Sequence, residues 1–204
     1  MKLIILSTPK FFIEEDQIFK ALFEEGLDLL HIRKPDSEPV LSERLLSLIP
    51  SEYHKRIVVH NHFYLKEEYN LRGIHLSRQE PEAPQDYSGK LSRTCYSLEE
   101  LAEQRSKGKY DYLFLDSIFA GTSDNHRPSI CSHEGIKDAA RRGFIDRKVM
   151  ASGGVNIDNI KAVADMGFGG VVVCGDLWNR FNIHRGIDYK ELLTHFRRLR
   201  HAAE

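Results

Sequence analysis

Two glycine-containing turns in the last third of the chain have the composition of a phosphate-binding site. One turn contains Gly153 and Gly154, the other contains Cys174 and Gly175, and each follows a short apolar stretch. Because glycine has no Cβ, the backbone N–H groups of such turns can approach phosphate oxygens closely. We therefore predict that these four residues bind a phosphorylated ligand.

An arginine at the end of an earlier apolar stretch could bind a second anion. Alternation of side chains along a strand places His31 and Arg33 on one face, with Lys34 opposite or turning outward. An arginine that faces a barrel mouth is costly without an anionic partner, and its planar fork suits phosphate oxygens. The alternative is a rim arginine that pairs with a carboxylate of the protein.

Three histidines lie near the ends of two further stretches. His60 and His62 flank Asn61 and share a face by alternation, and His75 lies in the next stretch. Histidines grouped in this way can bind a metal ion, but no further ligand has a diagnostic spacing. We favour ordinary hydrogen-bonding histidines over a metal site.

Two more features allow more than one interpretation. Cys174 could be a nucleophile, but no histidine is placed by sequence to activate it, and we favour an inert buried cysteine. The polar segment 116–131 is either a lid over the ligand or a variable surface loop.

The candidate residues lie at the ends of strands in a pattern of alternating strands and helices. The predicted strands are Lys2–Leu6, Leu27–Ile32, Arg56–His60, Gly73–Leu76, Lys90–Thr94, Tyr112–Leu115, Lys148–Ala151 and Gly170–Val173. The predicted helices are Glu14–Glu25, Glu38–Leu48, Phe63–Tyr69, a helix capped by Ser97, Ser132–Arg142, Ile157–Met166 and Tyr189–His201. This order predicts an α/β fold of the (β/α)8 TIM-barrel type, with a doubly wound open sheet as the alternative.

Composition limits the classes of function. The 204 residues are most simply one domain, residues 1–204. With 29 Lys plus Arg against 30 Asp plus Glu, the chain lacks the basic footprint of a nucleic-acid binder. No apolar run approaches the roughly 18 residues of a membrane span. Three widely spaced cysteines suit a reducing cytoplasm, and the apolar helix stripes leave a homo-oligomer open.

Taken in order, segments across residues 29–177 resemble the thiamine-phosphate synthase and thiazole tautomerase superfamily. Leu29–Lys34 is similar to the family's Leu-Gln-Leu-Arg-Glu-Lys, Val59–His62 to its Ile-Asn-Asp, and Gly73–Leu76 to its Gly-Val-His-Leu. The other matches are Tyr96–Glu100 with His-Ser-Leu-Glu-Glu, Ser117–Phe119 with Pro-Ile-Phe, and the two glycine turns with the family's phosphate-binding turns.

The resemblance implies a reaction and a role for each matched residue. Such enzymes join hydroxymethylpyrimidine diphosphate to thiazole phosphate and release pyrophosphate with the help of Mg²⁺. Arg33, as the catalytic residue, and Asn61 would hold the diphosphate, and His31 occupies the position of a glutamine in the substrate site. The two glycine turns would hold the thiazole phosphate through backbone N–H groups.

The chain departs from the family pattern at several charged positions. Pro35 replaces a lysine, for which the neighbouring Lys34 could substitute, and Asp124 replaces another. His62 replaces a magnesium-binding aspartate and leaves Glu80 as the candidate for the second, so the metal ligands stay unassigned. Losing a metal ligand and a cation together would weaken catalysis, because both stabilise the charge of the leaving group.

These departures leave other functions open. A thiazole tautomerase-like isomerase would keep the thiazole phosphate site, although that branch of the family uses a histidine where this chain has Ser117. A non-catalytic binder of thiazole or thiamine phosphate would also keep it. A different barrel, such as a phosphosugar isomerase, would need a paired acid and base at opposite strand ends, and the sequence shows no clear pair.

Overall fold

The strands close into a barrel. The computed structural model describes residues 1–119, 129, 132–181 and 189–204. Within them the parallel strands pair in chain order, and β8 returns to β1, so the predicted (β/α)8 barrel is confirmed. The strands are β1 Lys2–Leu6, β2 Leu29–Ile32, β3 Ile57–Val59, β4 Gly73–Leu76, β5 Lys90–Cys95, β6 Tyr112–Leu115, β7 Val149–Ala151 and β8 Gly170–Val173.

Helices follow the strands and cover the barrel. They are α1 Glu15–Glu24, α2 Pro39–Leu48, α3 Leu65–Glu68, α4 Leu98–Ser106, α5 His133–Arg141, α6 Ile160–Asp165, α7 Gly175–Trp178 and α8 Lys190–Ala203. The predicted cap of α4 is confirmed, since Ser97 Oγ accepts the N–H of Glu100 at 3.1 Å. Two segments were not predicted as helices: α7 and the 3₁₀ helix Ser51–Arg56.

Parallel strands covered by helices are buried on both faces, and this explains their nearly continuous apolar sequences. Outside the barrel, the apolar face of α8 packs through Leu192, Phe196 and Leu199 into the main core. A smaller buried cluster contains alternate residues of the strands, which face the barrel axis. Its members are Ile4, Leu29, Tyr112, Phe114, Met150 and Val172.

The register of the strands brings their carboxyl ends to one mouth. Leu6 of β1 lies opposite His31 of β2, and Ile32 lies opposite Val59 at the end of β3. On the far side, Leu115 of β6 lies opposite Ala151 of β7. The segments that follow β2, β3, β6, β7 and β8 therefore surround the same opening, where barrels of this type hold their ligands. The described helices include none that is both long and apolar enough to cross a membrane.

Candidate active site

The turn after β7 has a backbone that only glycine adopts easily. Gly153 and Gly154 have φ angles of 82° and 67°, in the left-handed region. A Cβ at Gly153 would lie 2.4 Å from the backbone nitrogen of Ser117, since the turn packs directly against the end of β6. The N–H of Phe119 donates to the carbonyl oxygen of Gly153 at 3.1 Å and fixes this contact. The sequence therefore places two glycines where the backbone must come close to its neighbours.

The turn after β8 leads directly into α7. The carbonyl oxygen of Cys174 accepts the N–H groups of Leu177 and Trp178 at 3.0 and 3.1 Å. The indole N–H of Trp178 donates to the carbonyl oxygen of Leu6 at 2.7 Å, which fixes α7 against the end of β1. Burial raises the pKa of the Cys174 thiol to about 11, although the charge of Arg33 acts in the opposite direction. The thiol is thus protonated at neutral pH, in line with an inert cysteine.

Arg33 lies at the mouth between several strand ends. Its backbone N–H donates to Ser7 Oγ at 2.9 Å, so the loop after β1 fixes the end of β2. The positive charge of Arg33 contributes, after burial, to the lowered pKa values of His60 and His75. Arg33 directly follows β2, whose end lies beside the ends of β1 and β3.

Asn61 lies next to the Arg33 segment. Its side-chain oxygen accepts the backbone N–H of Lys34 at 3.1 Å. The two residues that resemblance assigns to the diphosphate, Arg33 and Asn61, are thus brought together by one hydrogen bond between the ends of β2 and β3.

Lys34 is buried directly after the end of β2. Its side chain is 1% exposed, and Nζ lies 2.5 Å from Glu15 Oε1 of α1. Nζ also donates to the carbonyl oxygen of Lys10 at 3.0 Å and lies 4.6 Å from the centroid of the Phe11 ring. The ammonium group of Lys34 is thus bonded to groups of the protein itself.

His31 lies inside the barrel rather than at its opening. The side chain is fully buried; Nδ1 is 2.9 Å from His60 Nε2, and Nε2 is 2.8 Å from the Tyr112 hydroxyl. Burial lowers the pKa of His31 to about 3, so the ring is neutral. Because both ring nitrogens bond to protein groups, the position of His31 does not support a direct contact with substrate.

The histidine cluster of the barrel interior consists of His31, His60 and His75, whose ring nitrogens lie within 4.8 Å of one another. His62, which the sequence grouped with His60 and His75, instead places Nε2 3.0 Å from the carbonyl oxygen of Ser37. The rings of His60 and His75 stack with centroids 4.2 Å apart and planes 19° apart. Since nitrogen lone pairs lie in the ring planes, these two rings cannot aim at one ion.

Hydrogen bonds account for the rest of this cluster. His75 Nδ1 lies 2.8 Å from Ser92 Oγ, and its Nε2 lies 2.7 Å from Thr94 Oγ1. The three histidines thus form a neutral hydrogen-bonded network with hydroxyl groups of β5 and β6. Of the histidines that the sequence grouped, His60 and His75 belong to this network and His62 does not.

The residues at the ends of β3 and β4 do not fit Mg²⁺. That ion requires oxygen ligands in nearly octahedral geometry and is commonly held by carboxylates. The position after Asn61 carries His62, whose ring nitrogen is bonded to a carbonyl oxygen, so Glu80 is the only carboxylate of the expected pair. The nearby buried imidazoles offer nitrogen atoms, which Mg²⁺ does not favour as ligands.

A carboxylate that the sequence did not single out joins β6 to the first glycine turn. Asp116 Oδ1 accepts the hydroxyl of Ser152 at 3.1 Å, and its Oδ2 accepts that of Ser117 at 3.2 Å. Its place directly after β6 was the one signal that could have found it. Asp124, at the position of a family lysine, and most of the 116–131 loop lie outside the described residues.

Known proteins match the chain over nearly its whole length. The family described as thiamine monophosphate synthase matches residues 5–177. A thiamine-phosphate synthase of Staphylococcus epidermidis is 23% identical over 184 residues, which cover 85% of this chain and 86% of that protein.

Among solved structures, thiamine phosphate pyrophosphorylase from Bacteroides thetaiotaomicron is 49% identical, with a TM-score of 0.89, over 100% of this chain and 98% of that one. The pyrophosphorylase from Pyrococcus furiosus, 20% identical with a TM-score of 0.71, covers 99% of this chain and 95% of its own and shares the fold.

Proposed function

Because the chain belongs to the thiamine monophosphate synthase family, we propose that it is a transferase that joins hydroxymethylpyrimidine diphosphate to thiazole phosphate. In this reaction a bond forms between the thiazole nitrogen and the pyrimidine methylene carbon. The bond from that carbon to the diphosphate oxygen breaks, and pyrophosphate leaves with the electron pair. One observation carries the proposal: two glycine turns and an arginine surround one barrel mouth.

The thiazole phosphate is proposed to bind between the turns after β7 and β8. Gly153 and Gly154 adopt a left-handed backbone that packs closely on the end of β6, and Cys174 and Gly175 begin α7 with their N–H groups at its positive end. Burial of β7 and β8 on both faces holds these backbones in place, so little reorganisation is needed when the phosphate binds.

The pyrimidine diphosphate is proposed to bind at Arg33 and Asn61, which follow β2 and β3. The guanidinium can donate two parallel hydrogen bonds to the diphosphate and stabilise the charge that develops as the diphosphate leaves. The Ser7 and Asn61 hydrogen bonds hold this segment in position before substrate arrives. His31 would have an indirect role: it forms a hydrogen bond with His60 beneath the mouth and so supports the residues that line the site.

An assay with both substrates and Mg²⁺ tests the proposal directly. Purified protein should form thiamine phosphate and release one pyrophosphate for each product, as detected by chromatography and mass spectrometry. The S. epidermidis relative, run in parallel, shows that the assay works. No product from this chain under conditions where the relative turns over would reject the transferase function.

A second candidate is a protein that binds thiazole phosphate without diphosphate chemistry, as either an isomerase of the tautomerase type or a binder. The observation that favours it is the poor fit of His62 to Mg²⁺ together with the pairing of Lys34 with Glu15. Calorimetric titration distinguishes the candidates: a transferase binds both substrates, whereas the second candidate binds thiazole phosphate alone. Isomerase activity on the thiazole then separates an enzyme from a binder.

A further inference from the structure

One carboxylate connects the two glycine turns. Asp176 directly follows Gly175 of the second turn, and its Oδ2 accepts the backbone N–H of Ile157, just beyond the first turn, at 3.2 Å. The same oxygen lies 2.7 Å from His195 Nε2 of α8. This side chain therefore joins the turn after β8 to the segment that follows the turn after β7.

The packing of α8 fixes the position of His195 next to this carboxylate. Its side chain is 3% exposed, and Leu192, Phe196 and Leu199 anchor the surrounding face of α8 in the core. Because a carboxylate oxygen only accepts, Nε2 must carry the proton and donate it. Within the described parts of the chain, the buried Nδ1 has no hydrogen-bond partner, so the ring donates its one proton to Asp176.

The charge of Asp176 is compensated on its other side. The guanidinium of Arg180 lies 3.4 Å from Oδ1, and Arg180 Nε donates to the carbonyl oxygen of Asp176 at 3.1 Å. A bare carboxylate next to a phosphate site would repel the ligand. His195 and Arg180 offset the negative charge of Asp176. The hydrogen bond from the backbone of Ile157 gives this carboxylate a structural role.

We propose that Asp176, oriented by His195, is a positioning residue that sets the separation of the two glycine turns and thereby the affinity for the thiazole phosphate; this rests on the proposed function. A phosphate that bridges both turns needs both sets of N–H groups within hydrogen-bond distance at once. Displacement of one turn by about 1 Å is enough to lose that geometry.

Two substitutions at Asp176 separate position from charge. Asp176→Ala and Asp176→Asn remove the same negative charge, but only asparagine keeps an oxygen that can accept the N–H of Ile157. If position matters, the alanine variant binds thiazole phosphate about tenfold more weakly, as expected for the loss of a hydrogen bond to a charged group, and asparagine restores much of the affinity. If only charge matters, both variants bind equally well and more tightly than the native protein.

The His195 pair gives an independent test that does not depend on how the Asp176 variants fold. His195→Gln keeps a donor near the place of Nε2, whereas His195→Leu removes it. We expect His195→Leu to raise the KM for thiazole phosphate while the KM for the pyrimidine diphosphate stays unchanged, and His195→Gln to restore the native value. If His195 only stabilised the fold, His195→Leu would not raise the KM for thiazole phosphate more than the KM for the pyrimidine diphosphate.

Asp146 provides the matched control. It also accepts a backbone N–H, that of Lys148 at 2.7 Å, and pairs with an arginine, but it precedes β7 at the opposite end of the barrel. Asp146→Ala should lose stability without losing phosphate affinity. If Asp176→Ala and His195→Leu bind thiazole phosphate with native affinity, the positioning role of Asp176 is overturned and the proposed function is not. Failure of the native protein to bind thiazole phosphate in calorimetry would overturn the proposed function and this inference together.

Discussion

Glu15 Oε1 and Lys34 Nζ lie 2.5 Å apart, and each side chain is 1% exposed. The other oxygen of Glu15 is buried without a hydrogen-bond partner among the described residues. Burial raises the pKa of Glu15 to about 7, even though Lys34 attracts the charged form. Removing two charges from water has therefore not been fully compensated, as is common for buried pairs.

The two partners of this pair should differ in what their loss costs. Glu15→Leu leaves a buried ammonium without its anion, so the free energy of unfolding should fall by about 3–5 kcal/mol. Lys34→Met removes the charge and the hydrogen bond that lower the pKa of Glu15, so this pKa rises further and the carboxyl takes up a proton; the loss should be smaller, about 1–3 kcal/mol. Urea denaturation measures both.

Lys107→Met is the control, because the Lys107–Glu103 pair is exposed and should contribute less than about 1 kcal/mol. If Glu15→Leu and Lys34→Met lower the free energy of unfolding equally, protonation of Glu15 does not reduce the destabilisation caused by losing Lys34.

The histidine cluster predicts that stability declines in acid. Burial lowers the pKa of His31 to about 3 and holds those of His60 and His75 well below 6.5. The unfolded chain binds these protons near pH 6.5, so the stabilising contribution is present above that pH and is lost as the pH falls toward the folded values. Each histidine should add about 1.4 kcal/mol per pH unit to the slope.

Unfolding free energies from urea titrations at pH values between ~7 and ~5 measure this slope. His31→Gln, which introduces the residue of the family motif, should reduce it by the share of one histidine. An unchanged slope in that variant would mean that His31 is not neutral in the folded protein.

Arg33 should matter for the diphosphate and not for the thiazole phosphate. Arg33→Met removes the charge and fork, and kcat should fall by about 10²-fold or more, the scale for losing a donor to developing charge. Arg33→Lys keeps a point charge without the bidentate geometry, so its kcat should lie between those of Arg33→Met and the native protein. Steady-state kinetics with each substrate varied in turn provides the measurement.

The matched control is Arg197→Met, because Arg197 pairs with Glu25 on the outer surface. Native kinetics in Arg33→Met would return Arg33 to the alternative of a rim arginine without a substrate role.

Gly153 and Gly167 together separate steric contact from backbone strain. Both have left-handed φ angles, 82° and 87°, but a Cβ at Gly167 meets nothing within 4 Å. Gly167→Ala should therefore cost only the left-handed penalty, about 1–2 kcal/mol. Gly153→Ala adds a contact of 2.4 Å with the backbone of Ser117, so it should cost more and also abolish binding of thiazole phosphate. Thermal unfolding and calorimetry check the pair; similar behaviour of the two variants would contradict the packing of this turn.

The fold was predictable where strands have clear boundaries in the sequence. The bounds of β4, β6 and β8 match those predicted, because glycine or polar residues flank short apolar runs. By contrast, α7 has four residues, too few for a helical period to appear. The 3₁₀ helix Ser51–Arg56 is short and polar, and was missed for the same reason.

The site was predictable only in part, because a strand pattern gives the face of a side chain but not its depth. His31 and Arg33 were expected to share a face, yet His31 is fully buried under the mouth while Arg33 is only half-buried. Contacts between distant elements were beyond the sequence. Asp176 and His195 lie 19 residues apart on different helices, and no motif joins them.

The histidine cluster of the barrel interior also affects the register of the strands that carry it. Each imidazole satisfies a group on another strand, so a single replacement by an apolar residue leaves a polar atom stranded in the interior. A slip of one residue in β2 would turn His31 outward and leave the Tyr112 hydroxyl alone. The hydrogen bonds of His31 therefore favour one register of β2 over the neighbouring ones.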